Sequence, residues 1–178
     1  DIAFDLNISD TRAGLLISVY AWVVALMSLP LMILVSKMEL KRLLLGITAL
    51  FVVSHIISAI ADGYYMFMLS RIGVACAHAI FWSIASPLAV RIVPNGRRAL
   101  GLSTIATGSS VAMVIGLPLG RVIGLYIGWR MTFFCLGVIA ASIFVLIAMV
   151  FPRLESRGKF SVKKLPILLY NKVLVGVF

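Results

Sequence analysis

Two ionisable side chains sit inside an apolar stretch that has little room for them. Arg71 and His78 lie seven residues apart within the run 65–90. That is two turns of helix, so both project from one face. Trp82 continues the face at the next turn. An ionised group at the centre of a bilayer costs roughly 2.5–3.5 kcal/mol on insertion scales, so each one needs a reason to be there. His78 carries the side chain that takes up a proton near neutral pH. Arg71 is suited to bind an anion or to hold a neighbouring carboxylate in its charged form. The plainer reading is that both only hydrogen-bond to backbone carbonyls of adjacent helices. Tyr20 and Trp22, in the outer half of an earlier run, belong either to an interfacial aromatic belt or to a substrate cavity.

Other candidates are weaker. Thr48, His55 and Asp62 are also spaced by seven, but His55 reads as a packing histidine and Asp62 as a group at a helix end. Arg121 is close enough to the end of its run to snorkel. Cys76 and Cys135 fall inside apolar runs and read as small packing residues, not as a disulfide. Asn7-Ile8-Ser9 is formally a glycosylation sequon, and Ser9 or Asp10 as a helix cap explains the same spot. No HExxH, no acidic cluster and no nucleophile elbow is present, so no catalytic residue, metal site or cofactor is assigned.

The elements that must hold these residues are membrane helices. The chain is 62% apolar and only 12% charged, with a mean hydropathy of +1.14. Soluble domains are about half apolar. A bilayer span needs about 20 apolar residues, and five runs qualify, near 15–35, 43–61, 65–90, 100–124 and 131–151. The net charge of +10 is gathered between them. Loop 37–42 carries Lys37, Lys41 and Arg42 against Glu39, loop 91–98 carries three bases, and 153–164 carries five against Glu155. The intervening connections are acidic or short. This alternation is the positive-inside pattern, so the Asp1 side is expected outside and the basic loops in the cytoplasm. The charges then face anionic lipid, and nucleic acid is excluded as a partner. An all-α, polytopic membrane helix bundle follows, and its short connections predict that sequential spans pack as antiparallel neighbours.

The run 108–124 has a small residue at every fourth position: Gly108, Ala112, Gly116, Gly120 and Gly124. Lipid gives helices no hydrophobic reason to associate, so small residues that admit close backbone approach are an expected packing face. Pro118 removes the hydrogen bond to the Val114 carbonyl and is expected to bend the helix. Leu29-Pro30-Leu31 and Leu117-Pro118-Leu119, three spans apart, echo one another as an inverted repeat of three helices does. Residues 152–170 read as a basic cytoplasmic linker and 171–178 as the start of a further span. With an outer start and no initiator methionine, the chain reads as a fragment lacking one span before Asp1 and others after Phe178.

These residues carry a family likeness. Ser70-Arg71-Ile72-Gly73 with Ala75 resembles motif B of the major facilitator superfamily. Gly116-Leu117-Pro118-Leu119-Gly120 resembles its motif C, the antiporter signature, with Leu117 inserted. Gly128-Trp129-Arg130 with Phe133-Phe134 is similar to the start of helix 6 in many members. The runs 20–30, 71–83 and 116–134 look closest to bacterial sugar efflux transporters of the drug/proton antiporter group. Motif A is degenerate, keeping Lys37, Lys41 and Arg42 but placing Met32, Ser36 and Glu39 where glycines and an aspartate are usual.

The resemblance implies that the five spans are helices 2 to 6 of the N-terminal six-helix half, with residues 1–151 forming that partial bundle. It implies proton-coupled export of sugars or related small molecules across the bacterial inner membrane by alternating access, with H+ as coupling ion and no cofactor. Arg71, His78, Trp82 and Tyr20 would line the pathway. The stripe of Gly108, Gly116, Pro118, Gly120 and Gly124 would pack against a second half of the same polypeptide. A multidrug/proton antiporter of the same superfamily has the same half, and a non-transporting membrane fragment is the third reading.

Overall fold

The structure is a computed structural model in which residues 2–94 and 96–152 are described. The expected linker beyond Pro152 and the expected start of a span at 171–178 lie outside those residues. A single helical turn, α1 (Ile2–Asp5), precedes α2 (Asp10–Val35), α3 (Leu40–Ala59) and α4 (Tyr64–Ile92). Then come α5 (Arg98–Val111), a π-helical turn (Ala112–Gly116), α6 (Leu117–Ile127) and α7 (Trp129–Val150). No strand occurs among the described residues. Helices α5 and α6 run on through the π turn as one segment, Arg98–Ile127, so among the described residues five helices are long and apolar enough to cross a membrane.

The helix ends follow from local chemistry. α2 starts five residues before the apolar run because Ser9 caps it, its Oγ accepting the Arg12 N–H at 3.4 Å. The predicted cap is thus formed. Asn7 just before it takes φ 51°, a left-handed conformation that asparagine tolerates. Between α6 and α7 the chain turns at Gly128, whose φ of 86° ends one helix and admits the next without a loop. Pro30 and Pro87 sit inside uninterrupted α-helix, whereas Pro118 is the second residue after the π turn, in the first turn of α6. The two echoed proline sites therefore differ in backbone form.

Three of the four sequential span pairs pack as expected, α3 on α4, α5 on α4 and α7 on α6, and the first pair departs from that order. α2 lies along α4, while α3 lies between α4 and α7. α2 and α3 come together mainly near their joining turn, where Leu31, Met32 and Val35 join the cluster of Leu43, Leu44, Ile47, Ile80 and Ile84. A second cluster, Leu6, Leu16, Ala61 and Phe67, fills the opposite end of the bundle. A short connection keeps two helix ends close, but it does not decide which faces meet.

Small residues decide that, and they are not those of the stripe. A Cβ at Gly73 would strike the Ser54 hydroxyl, which brings α4 against α3. One at Gly101 would lie 2.8 Å from the Ala89 carbonyl oxygen, where α5 crosses α4. One at Gly137 would touch the His55 Cβ at 3.5 Å, where α7 meets α3. By contrast Gly108, Gly116 and Gly120 have nothing within 4 Å of that position, and Gly124 reaches only Thr132. Helices α5 and α6 touch the bundle at their two ends, α4 and α7 respectively. Gly101 is their one buried residue.

Candidate functional site

Arg71 projects from α4 into a frame supplied by three helices. Its Nη2 donates to the Ser58 hydroxyl of α3 at 2.5 Å. Its guanidinium carbon lies 4.4 Å from the centre of the Phe133 ring of α7 and 5.1 Å from that of Phe67, distances suited to cation–π attraction. Ser58 is fully buried, and its Oγ is 2.8 Å from both the Ser54 carbonyl and the Ser70 hydroxyl. Ser70, also buried, donates to the Phe67 carbonyl at 2.6 Å. Arg71 Nε is buried and has no partner. Among the described residues no carboxylate is ion-paired to Arg71. The guanidinium is thus held at one edge by a neutral hydroxyl, flanked by two rings, and unsatisfied at another edge.

His78, two turns along α4, meets Tyr20 of α2. The phenol oxygen and His78 Nδ1 are 2.5 Å apart, with the rings edge to face at 5.9 Å. Either partner can be the donor, according to the tautomer and charge of the imidazole. Phe51 of α3 packs on the other side of His78 at 5.3 Å. Each of these two residues lines a different cavity. Tyr20 and Arg71, with Asp10, Ile17, Phe67 and Phe133, bound a space of about 530 Å³. His78, with Thr48, Phe51, Phe81 and Ile143, bounds one of about 180 Å³ further towards the basic loops. The Tyr20–His78 hydrogen bond stands between them.

Arg71, His78 and Tyr20 are therefore brought together on the bundle's inner side. Trp82 is not: it is 54% exposed, stacks edge to face on Phe81 and lines neither cavity. One more turn carries the helix face past the neighbours that enclose His78. His55 is buried, donates from Nδ1 to the Phe51 carbonyl at 2.9 Å and packs on Phe51 and Phe133, the packing role expected of it. Thr48 turns back on its own helix, to the Leu44 carbonyl, while Asp62 and Arg121 are exposed. Cys76 and Cys135 are free thiols. Of the degenerate motif A residues, Lys37 is exposed and Arg42 pairs with Glu39 at 3.2 Å. Lys41 is half-buried on the first turn of α3.

Two sets of residues were not expected from the sequence. Ser58 and Ser70 form the hydroxyl frame of Arg71, with the Ser54 carbonyl as a further acceptor for Ser58. The i, i+4 serine pair in an apolar helix was the available signal. At the end of the bundle that carries α1, Asp5 Oδ2 accepts from Trp129 Nε1 at 2.8 Å and from Arg130 Nη1 at 3.4 Å. Arg130 also donates to the Ala61 carbonyl at 3.0 Å and lies over the Trp129 ring. Nothing in the spacing of Asp5 and Arg130, 125 residues apart, announces that contact.

A polytopic bundle of apolar helices with an arginine and a histidine turned inward, beside cavities of small-molecule size, is the build of a membrane transporter. The chain matches the family model of the Major Facilitator Superfamily over residues 1–176. It belongs to that superfamily of transporters, and it is a multi-pass membrane protein.

Proposed function

We propose that this transporter is a proton-coupled exporter of the bacterial inner membrane that moves sugars or related small molecules outward by alternating access. Residues 1–151 form part of its N-terminal half, with the Asp1 side periplasmic and the basic loops cytoplasmic. The second half of the same polypeptide closes the cavity. The observation that carries this reading is the Tyr20–His78 hydrogen bond of 2.5 Å between two cavities. A phenol on a histidine can pass or hold a proton without a carboxylate. Arg71 on the Tyr20 side is the cation whose field would rise or fall as that proton moves.

The test is export from proteoliposomes containing the complete protein, driven by an imposed pH gradient, over a panel of pentoses, hexoses and disaccharides. His78→Ala should insert normally and lose gradient-driven export. An unchanged pH profile would remove His78 from the mechanism. A multidrug exporter is the second reading, favoured by the Phe67 and Phe133 walls of the larger cavity. Lipophilic cations transported in place of every sugar in the panel would select it.

A further inference from the structure

We infer that Ser58 is a positioning residue for Arg71, and that its hydroxyl, braced by Ser70, sets which edge of the guanidinium faces the cavity. The inference rests on Arg71 acting in transport, as proposed above. An arginine side chain has four rotatable bonds and a planar five-donor head, so an inward-facing guanidinium needs a fixed point if it is to present one edge reproducibly. Phe67 and Phe133 hold the plane of the head but not its rotation within that plane.

Ser58 supplies the fixed point. Its oxygen accepts from Nη2 and keeps a single proton to donate. That proton goes to the Ser54 carbonyl and the Ser70 hydroxyl, each at 2.8 Å. Ser70 spends its own proton on the Phe67 carbonyl, so its oxygen is free to accept from Ser58. Every proton in this chain of hydroxyls runs away from Arg71, and the Ser58 lone pair is turned towards it. The edge left over carries Nε, buried and without a partner. Arg71 lines the larger cavity, and with Nη2 held and Nε buried it is the Nη1 corner of the guanidinium that is left to face it. Ser58 is fully buried, so its hydroxyl has no solvent role to account for it.

The experiment measures how fast phenylglyoxal modifies Arg71 in the complete protein in nanodiscs, read residue by residue by mass spectrometry. The reagent must reach two guanidinium nitrogens, so it reports whether Nη2 is held. Ser58→Ala should raise the Arg71 rate roughly tenfold, the change expected on losing one charge-assisted hydrogen bond. Ser58→Thr keeps the hydroxyl and should stay within about twofold of the parent. The exposed Arg121 should be unchanged in both. An unaltered Arg71 rate in Ser58→Ala overturns the inference. So does a parallel rise at Arg121, which is general loosening, or a rise with Ser58→Thr, which makes packing and not the hydroxyl the cause. Sugar export by the same variants is measured beside it. If the parent exports nothing, the functional reading fails while the modification rates still decide the role of Ser58.

Discussion

At the scale of single residues the bundle separates two kinds of polar side chain. Thr48, Ser83 and Ser142 satisfy themselves on the carbonyl four residues back and ask nothing of their neighbours. Tyr20, Ser58, Arg71 and His78 bond across helices, which fixes one helix against another. Removing the Tyr20 hydroxyl alone is therefore informative. Tyr20→Phe keeps the ring and its edge-to-face contact but leaves His78 Nδ1 unpaired, at a cost of about 1–3 kcal/mol for a buried polar group. We expect folding to survive, with gradient-driven export reduced at least about tenfold. Proteoliposome export compared with the yield of purified monodisperse protein checks it. Arg71, His78 and Tyr20 were legible in the sequence because an ionisable or phenolic group in an apolar run stands out by type. Ser58 was not, because serine is common in membrane helices and its importance comes only from what lies opposite.

At the scale of elements the sequence named the helices but not the positions at which these five touch. All five spans were legible from hydropathy, and their ends shifted by a few residues, most at α2, where the Ser9 cap lengthens the helix. The glycine stripe was the strongest packing signal, yet the contacts fall at Gly73, Gly101 and Gly137, which have no repeat to mark them. In lipid one isolated glycine facing the right backbone is sufficient for a close approach. Gly101→Val should be the costly substitution, since its Cβ must displace the Ala89 carbonyl. We expect about 1–3 kcal/mol of overpacking. Gly108→Val meets open space within the described residues and should cost no more than the small difference in helix preference. Apparent melting temperatures of the detergent-solubilised protein should fall for the first and hold for the second. A larger fall for Gly108→Val would show that a further helix lies against it in the complete protein.

At the scale of the whole molecule the non-sequential contacts, α2 on α4 and α3 on α7, were the least legible feature. Helix ends joined by one to five residues are close by construction, but in a bilayer all apolar faces are equally content with lipid. Which faces meet is left to side chains far apart in sequence. The Asp5, Trp129 and Arg130 contact is such a case, tying the segment before α2 to the start of α7 and, through the Ala61 carbonyl, to the end of α3. Both charged groups are more than a third exposed, so the ion pair itself is worth little. Asp5→Asn keeps an acceptor for the indole and should lower stability by less than about 1 kcal/mol. Asp5→Ala also orphans the Trp129 N–H and should lower it by about 1–2 kcal/mol. Thermal unfolding followed by tryptophan emission orders the two variants. The reverse order would mean that charge, not the shared acceptor, makes the tie.

The π turn at Ala112–Gly116 has a consequence for the shape of the surface it interrupts. Positions four apart on an α-helix drift by about 40° at each step. A row of small residues from Gly108 to Gly124 would by itself wind nearly half-way round the cylinder. The wider π turn advances the chain by a smaller angle per residue, since its hydrogen bonds reach one residue further. It therefore subtracts from the drift midway and brings Gly116, Gly120 and Gly124 back towards the meridian of Gly108 and Ala112. Pro118, by freeing carbonyls one turn upstream, makes that change of pitch cheap. The row of small residues therefore winds less steeply than it would on a regular α-helix, and the surface it offers a neighbour turns less along its length.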